Sequence, residues 1–183
     1  AGNDTEDAAY FFSANRGKRS LTVDITQPEG QDIIRKLAAK VDVLIENYKV
    51  GGLAKYGLDY SSLEKVNPKL VYCSITGFGQ TGPYAQRPGY DFLIQGMAGL
   101  MSVTGEPDSQ NGGGPTKVGV AVTDIFTGLY AANAIQSALL ERHHSGMGQY
   151  IDLALLDVQA AVMANQASNY LIGGQVPGRL GNA

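Results

Sequence analysis

Asp124 is the residue whose type and position are best suited to chemistry. It lies at the start of a long predicted helix, residues 123–143, directly after Thr123. The positive end of a helix dipole favours an ionised carboxylate, and an ionised carboxylate can act as a nucleophile in covalent catalysis. An ordinary first-turn acid fits the same position and stabilises a helix by about 0.5–2 kcal/mol. The local sequence favours that structural interpretation, and the two interpretations are compatible.

Three junctions between a predicted strand and the turn that follows it are further candidates for ligand contact. They are residues 46–49, the glycine-rich residues 76–83, and residues 122–124. Parallel sheets bind ligands beyond the carboxyl ends of their strands, and glycine lets the backbone approach a ligand closely. Ordinary turn chemistry also explains glycines after strands, so the pattern leaves both interpretations open.

Other kinds of site have little support in the sequence. The chain has neither a complete dinucleotide-binding glycine fingerprint nor a phosphate-binding P-loop, which disfavours a nucleotide-dependent oxidoreductase. His143 and His144 are adjacent, so they cannot form a helical metal pair, and we expect no metal cofactor. Cys73 is the single cysteine and lies in an apolar strand, which indicates packing and a reducing, cytoplasmic compartment.

The composition is that of a globular enzyme-sized domain. Hydrophobic residues make up 44% and charged residues 17% of the 183 residues, and the net charge is -3. A weakly negative chain without a long apolar run predicts neither nucleic-acid binding nor a membrane span.

Strands and helices alternate along most of the chain. Strands are predicted at residues 10–13, 20–25, 41–46, 69–75 and 149–153, and helices at 28–40, 52–56, 61–66, 91–103, 123–143 and 158–172. This alternation predicts an α/β fold, a Rossmann-like open and mostly parallel sheet with flanking helices. The apolar face of the longest helix is predicted to comprise Ile125, Leu129, Ala132, Ile135, Leu139 and Leu140.

Six segments together, in the same order, resemble the family III coenzyme A transferases of the CaiB/BaiF or formyl-CoA transferase type. They are NRGKRSLTVD at 15–24, DVLIENY at 42–48 with KYGLDY at 55–60, residues 67–83, RPGYD at 87–91, residues 119–128, and SGMGQ at 145–149. Val50 departs from the family pattern, which has proline there. Residues 74–83 and the Asn-Tyr-Leu-Ile-Gly stretch are similar to members that act on short dicarboxylic acids, such as succinate and hydroxymethylglutarate.

The resemblance implies roles for particular residues. Asp124 matches the catalytic aspartate of the family, and Lys49 is a weaker match for a phosphate contact. Tyr90 falls near the thioester, where the related 2-methylacyl-CoA racemases carry a catalytic histidine, so it favours transfer over racemisation. The positions that match the lining of the CoA nucleotide site are Val23, Asn47, Tyr48 and Lys55.

The implied activity is transfer of CoA between an acyl-CoA and a small carboxylic acid through an aspartyl-CoA thioester. The family forms homodimers and needs no metal, and its large domain extends beyond both ends of the region resembled here. We therefore expect residues 1–183 to be a single, incomplete large domain. Two alternatives stay open, namely a 2-methylacyl-CoA racemase-like enzyme and a truncated fragment that binds CoA without catalysis.

Overall fold

A computed structural model describes residues 8–182. Its elements in chain order are α1 (Ala9–Asn15), α2 (Pro28–Ala38), β1 (Val43–Glu46), a 3₁₀ helix (Ala54–Tyr56), α3 (Tyr60–Leu63), β2 (Val71–Thr76), α4 (Asp91–Met97), α5 (Leu100–Val103), α6 (Val122–Ser145), β3 (Tyr150–Ala154), α7 (Leu155–Val162) and α8 (Ala164–Gly173).

The three strands form one parallel sheet in the order β1-β2-β3. Val43 pairs with Val71 on one side of β2, and Tyr72 pairs with Tyr150 on the other. Because the strands are parallel, their carboxyl ends lie along one edge, where ligand sites of such sheets form. The predicted α/β class and parallel sheet are confirmed.

The core lies on both faces of this sheet. Successive side chains of β2 point to opposite faces and so belong to two separate clusters. Leu70 and Tyr72 pack with Ala38, Leu53, Leu58 and Leu63, which come from α2, α3 and the segment between β1 and α3. Val71 and Cys73 point the other way and pack against α6, whose buried contacts are Ala131, Ile135 and Ala138. Cys73 is fully buried in this cluster, which fits the predicted packing role, and the burial raises the pKa of its thiol to about 11.

Two predicted strands are wrong. Residues 10–13 lie in α1, and residues 20–24 have no regular structure. Tyr10, Phe11 and Phe12 are all exposed, so no sheet surface packs against them. Aromatic residues favour strands only where such packing exists, and a helix satisfies the backbone hydrogen bonds locally instead.

Three predicted helices differ in detail. Residues 91–103 form two helices because Gly99 adopts a left-handed conformation with φ 90°. Residues 158–172 also divide, into α7 and α8, and the break lies beside Ala164, whose φ is 41°. The predicted apolar face of α6 is mostly wrong, because Ile125, Leu129 and Leu140 are exposed. Ile135 is buried as predicted, and the other buried residues of α6 are the smaller Thr123, Thr127, Ala131 and Ala138.

Candidate functional site

A cavity of about 560 Å³ opens at the carboxyl edge of the sheet. Its walls come from the turn after β1, the end of β2, the segment before α4, and the first turns of α6 and α7. The lining residues are Asn47, Tyr48, Lys49, Val50, Ile75, Thr76, Gly77, residues 85–90, Asp124, Thr127, Gly128 and Leu155. The cavity thus joins residues from all three segments that the sequence analysis singled out, but the third was wrongly predicted as a strand-to-turn junction, because residues 122–124 begin α6 and no strand precedes them.

Asp124 occupies the first turn of α6 and faces this cavity. Partial burial raises the pKa of its carboxyl group above the usual value, and the nearby Asp91 carboxylate raises it further. The positive end of the helix dipole acts in the opposite direction and favours the ionised form.

Asp91 stabilises the helix end that carries Asp124. Ala121 precedes α6 and cannot cap it with its side chain. One carboxylate oxygen of Asp91 accepts the Thr123 backbone N–H at 2.8 Å instead, from the start of α4. The cap is therefore a tertiary contact between residues 32 positions apart. Sequence reasoning missed Asp91, and the only signal for it was an acid directly after Tyr90.

The turn that carries Asn47, Tyr48 and Lys49 is attached to the sheet by Glu46. The Glu46 carboxylate accepts the Tyr48 backbone N–H at 2.7 Å and the Ser74 hydroxyl of the adjacent strand. Gln80 in turn donates its side-chain amide to Ser74 Oγ at 2.9 Å. These contacts hold the β1 turn beside the glycine-rich segment that follows β2.

Two glycines bring Tyr90 to the same cavity. Gly77 follows β2 and Gly89 precedes Tyr90, and a Cβ atom on either glycine would overlap the Cα atom of the other. Only glycine allows so close a backbone contact. The segment that carries Tyr90 therefore lies directly against the end of β2.

Five of the seven predicted site residues line the cavity, namely Asn47, Tyr48, Lys49, Tyr90 and Asp124. Val23 lies elsewhere, half-buried beside Gly30, and Lys55 stacks its ammonium group over the Tyr56 ring at 4.6 Å. Arg87, Thr127 and Gly128 also line the cavity and were not predicted. The guanidinium group of Arg87 stacks on the Tyr84 ring at 4.7 Å.

Two features are absent from the residues described, a cluster of potential metal ligands and a membrane-spanning helix. Within residues 8–182, no group of three or more His, Cys, Asp and Glu side chains is placed to hold a metal ion. No helix in the same range is both long and apolar enough to span a membrane.

Known proteins are similar to this chain in sequence and fold. The sequence profile of CoA-transferase family III matches residues 1–183. The chain is 62% identical to the succinate–glutarate CoA-transferase of Agrobacterium fabrum, over 96% of this chain and 43% of that protein. It is 46% identical to the succinyl-CoA:glutarate CoA-transferase of Mus musculus, over 97% of this chain and 40% of that protein.

A solved structure agrees with these similarities. The crystal structure of a CaiB/BaiF family protein from Brucella suis superposes with a TM-score of 0.92 at 61% identity, over 96% of this chain and 46% of that one. The chain thus spans less than half the length of these relatives. Since the match extends through the cavity and its walls, the chain belongs to CoA-transferase family III.

Proposed function

We propose that this chain carries the acyl-transfer site of a CoA-transferase, with Asp124 as the nucleophile. One observation supports this most directly. A single cavity brings the Asp124 carboxylate together with Asn47, Tyr48 and Lys49 on one wall and Tyr90 on another. These are the residues for which the family resemblance implies contact with CoA and its thioester. Val23 and Lys55 lie outside the cavity, and their contact with the CoA nucleotide stays a prediction.

The reaction needs one enzyme carboxylate. An Asp124 oxygen attacks the carbonyl carbon of the acyl-CoA, the carbon–sulfur bond breaks, and CoA departs as a thiolate. The acyl group is left on Asp124 as a mixed anhydride. The thiolate then attacks the aspartyl carbonyl carbon and releases the first acid as a carboxylate, which leaves an aspartyl-CoA thioester. The acceptor carboxylate repeats these steps in reverse order and departs as the new acyl-CoA. The covalent relay divides one difficult exchange into easier steps.

The site can assist these steps electrostatically. Negative charge develops on the carbonyl oxygen at each attack and on the departing thiolate. The positive end of the 24-residue helix α6 and the Lys49 ammonium group are both placed at the cavity. The raised pKa of Asp124 acts in the same direction, since a more basic carboxylate is a stronger nucleophile.

We propose short dicarboxylic acids as the substrate class. Succinate and glutarate, which appear in the names of the two relatives, each carry a second carboxylate. Asp124 is the only acidic residue on the described walls of the cavity, and its charge would repel such a substrate. Lys49 and Arg87 are the two cationic residues on the same walls, and either can offset that repulsion.

Racemisation is the weaker candidate. It needs a base at the position of Tyr90, and the described cavity walls contain no histidine. We further propose that residues 1–183 form a single unit of a large domain, and that the whole protein is a cytoplasmic homodimer. The single cysteine is consistent with that compartment.

The decisive experiment follows the covalent mass of the protein after incubation with succinyl-CoA. We expect a CoA-sized adduct on the native protein and at least about 10³-fold less on Asp124→Asn, which keeps the shape but removes the nucleophile. An adduct of equal amount on both proteins would contradict the proposal. Noncovalent CoA binding without any adduct would favour the alternative of a binding fragment.

The substrate class has its own test. Arg87→Gln should raise the KM for succinate and glutarate by about tenfold or more and leave the KM for butyrate unchanged, because only the dicarboxylates have a second charge to pair. Arg142→Gln is the matched control, since Arg142 lies at the far end of α6. An equal rise in the KM for butyrate would show that Arg87 does not pair with the second carboxylate.

A further inference from the structure

Buried polar side chains are concentrated directly behind Asp124. Among the residues described, six polar or charged side chains are buried, and Ser74 is the one that lies elsewhere. Burying polar groups is costly unless each is hydrogen-bonded, so their concentration at one place needs a reason. The other five lie where α4, α6 and α7 pack together, and they are Asp91, Gln95, Thr123, Thr127 and Gln159.

These side chains form a connected network around Thr123. Its backbone N–H is bound by Asp91, as described above, and its hydroxyl donates to the Gln159 amide oxygen at 2.7 Å. Gln95 donates to the other carboxylate oxygen of Asp91 at 2.7 Å and accepts the Val118 N–H at 3.0 Å. The Thr127 hydroxyl donates to the Thr123 carbonyl oxygen at 2.8 Å. Thr123 is therefore held through three of its polar groups by two neighbouring helices and by its own.

Gln159 brings an unpaired buried donor into this network, which lowers the stability of the fold. Its side chain is fully buried, and its amide nitrogen has no hydrogen-bond partner among the residues described. Apolar side chains of similar size at both positions 123 and 159 would leave neither donor unpaired. A buried polar group with this cost is typical of functional sites, where position matters more than stability.

We propose that Gln159 is a positioning residue for Asp124 and acts through the hydroxyl of Thr123. This inference rests on the proposed function. Asp91 on α4 holds the backbone of Thr123, and Gln159 on α7 holds its side chain, so the first turn of α6 can neither rotate nor slide. Asp124 is the next residue. A reactive group displaced by about 1 Å can lose 10²-fold in rate, which is the sensitivity on which this device depends.

The test compares variants that differ by single hydrogen-bonding groups. Gln159→Met and Thr123→Val each remove the Thr123–Gln159 bond and keep nearly the same side-chain volume, whereas Thr123→Ser keeps the hydroxyl. Thr104→Val is the matched control, because the Thr104 hydroxyl donates to the Leu100 carbonyl oxygen away from the cavity. The rate of adduct formation from succinyl-CoA, its KM and the melting temperature are measured for each protein.

We expect the rate with Gln159→Met and Thr123→Val to fall about tenfold or more, with KM within a factor of about two. Thr123→Ser should keep most of the native rate, and Thr104→Val all of it. Gln159→Met should melt close to the native protein, because it removes the unpaired Gln159 amide nitrogen but leaves the buried Thr123 hydroxyl without its acceptor. A loss of rate without a loss of stability is an outcome that a purely structural role does not produce.

Two results would overturn the inference. Folded Gln159→Met and Thr123→Val proteins that form the adduct at the native rate would remove the positioning role and leave the proposed function intact. A native protein that forms no adduct would remove both.

Discussion

The two ends of α6 are held in different ways. At the amino end, Thr123 is fully buried and donates hydrogen bonds to Asp91 and Gln159 of two other helices. At the carboxyl end, Gly146 adopts a left-handed conformation with φ 73° and donates its N–H to the Arg142 carbonyl oxygen. Arg142 itself donates to Asp42, which is 76% exposed, at 2.8 Å.

The two ends show that ending a helix and fixing the position of a side chain at a cavity need different contacts. A left-handed glycine and a basic last turn end a helix with local chemistry alone. The position of Asp124, the proposed nucleophile, relative to the cavity depends on elements distant in sequence, and buried hydrogen bonds hold this end of α6. The amino end should therefore be far more sensitive to substitution than the carboxyl end.

The largest effect is expected for Asp91→Ala. It leaves two buried donors, the Thr123 N–H and the Gln95 amide, without their acceptor, which should lower the free energy of unfolding by about 2–4 kcal/mol. Urea unfolding measures this loss. Asp91→Asn keeps one acceptor oxygen and should cost less. If Asp91→Ala were as stable as the native protein, the buried network would not anchor this end.

Gly146→Ala should have an intermediate effect at the opposite end. An L-amino acid in the left-handed conformation is strained by about 1–2 kcal/mol, and no other atom crowds the position. Thermal unfolding measures the loss. Gly128→Ala is a useful comparison, because Gly128 lies within α6 without a positive φ and alanine there should be neutral or stabilising.

Arg142→Ala should have a smaller effect. The Asp42 partner of the ion pair is 76% exposed, whereas the Arg142 side chain is 17% exposed, and loss of a pair that is open to water on one side should cost below about 1 kcal/mol. Salt screens exposed pairs, and the difference between native and variant proteins should shrink as salt is raised. Unfolding at low and high ionic strength tests this. A large, salt-independent loss would mean that the Arg142 contact with the Lys69 carbonyl oxygen, at 2.9 Å, dominates instead.

The smallest effect concerns pH. Because the pKa of Asp124 is raised in the folded chain, its ionised form destabilises the fold. The native protein should therefore lose stability relative to Asp124→Asn as pH rises through the raised folded pKa, and the two should converge below the ordinary value of 3.8. Urea unfolding across this range measures the difference, which should be smaller than that of Gly146→Ala. A native protein that gains on the variant as pH rises would show that the dipole dominates.

Sequence patterns located the three strands of the sheet, and five of the seven predicted site residues line the cavity. The strands β1, β2 and β3 and the helices α2 and α6 lie where apolar runs and periodicity predicted them. Asn47, Tyr48, Lys49, Tyr90 and Asp124 were identified by their place in motifs, and the cavity joins them. The strand predicted at residues 10–13 was wrong, because an aromatic run does not reveal whether a neighbouring strand exists to pair with it.

By itself, the sequence determined the α/β class and the glycine-rich junctions, because each is encoded in local periodicity or in a short motif. The candidate nucleophile followed from the resemblance of six segments to the family. Only the tertiary structure decided that Asp91 and Gln159 hold Thr123, that Gly77 and Gly89 cross, and that Val23 and Lys55 lie outside the cavity. The physical reason is that these contacts join residues far apart in the chain. Their distance and burial exist only once the helices have packed on the sheet.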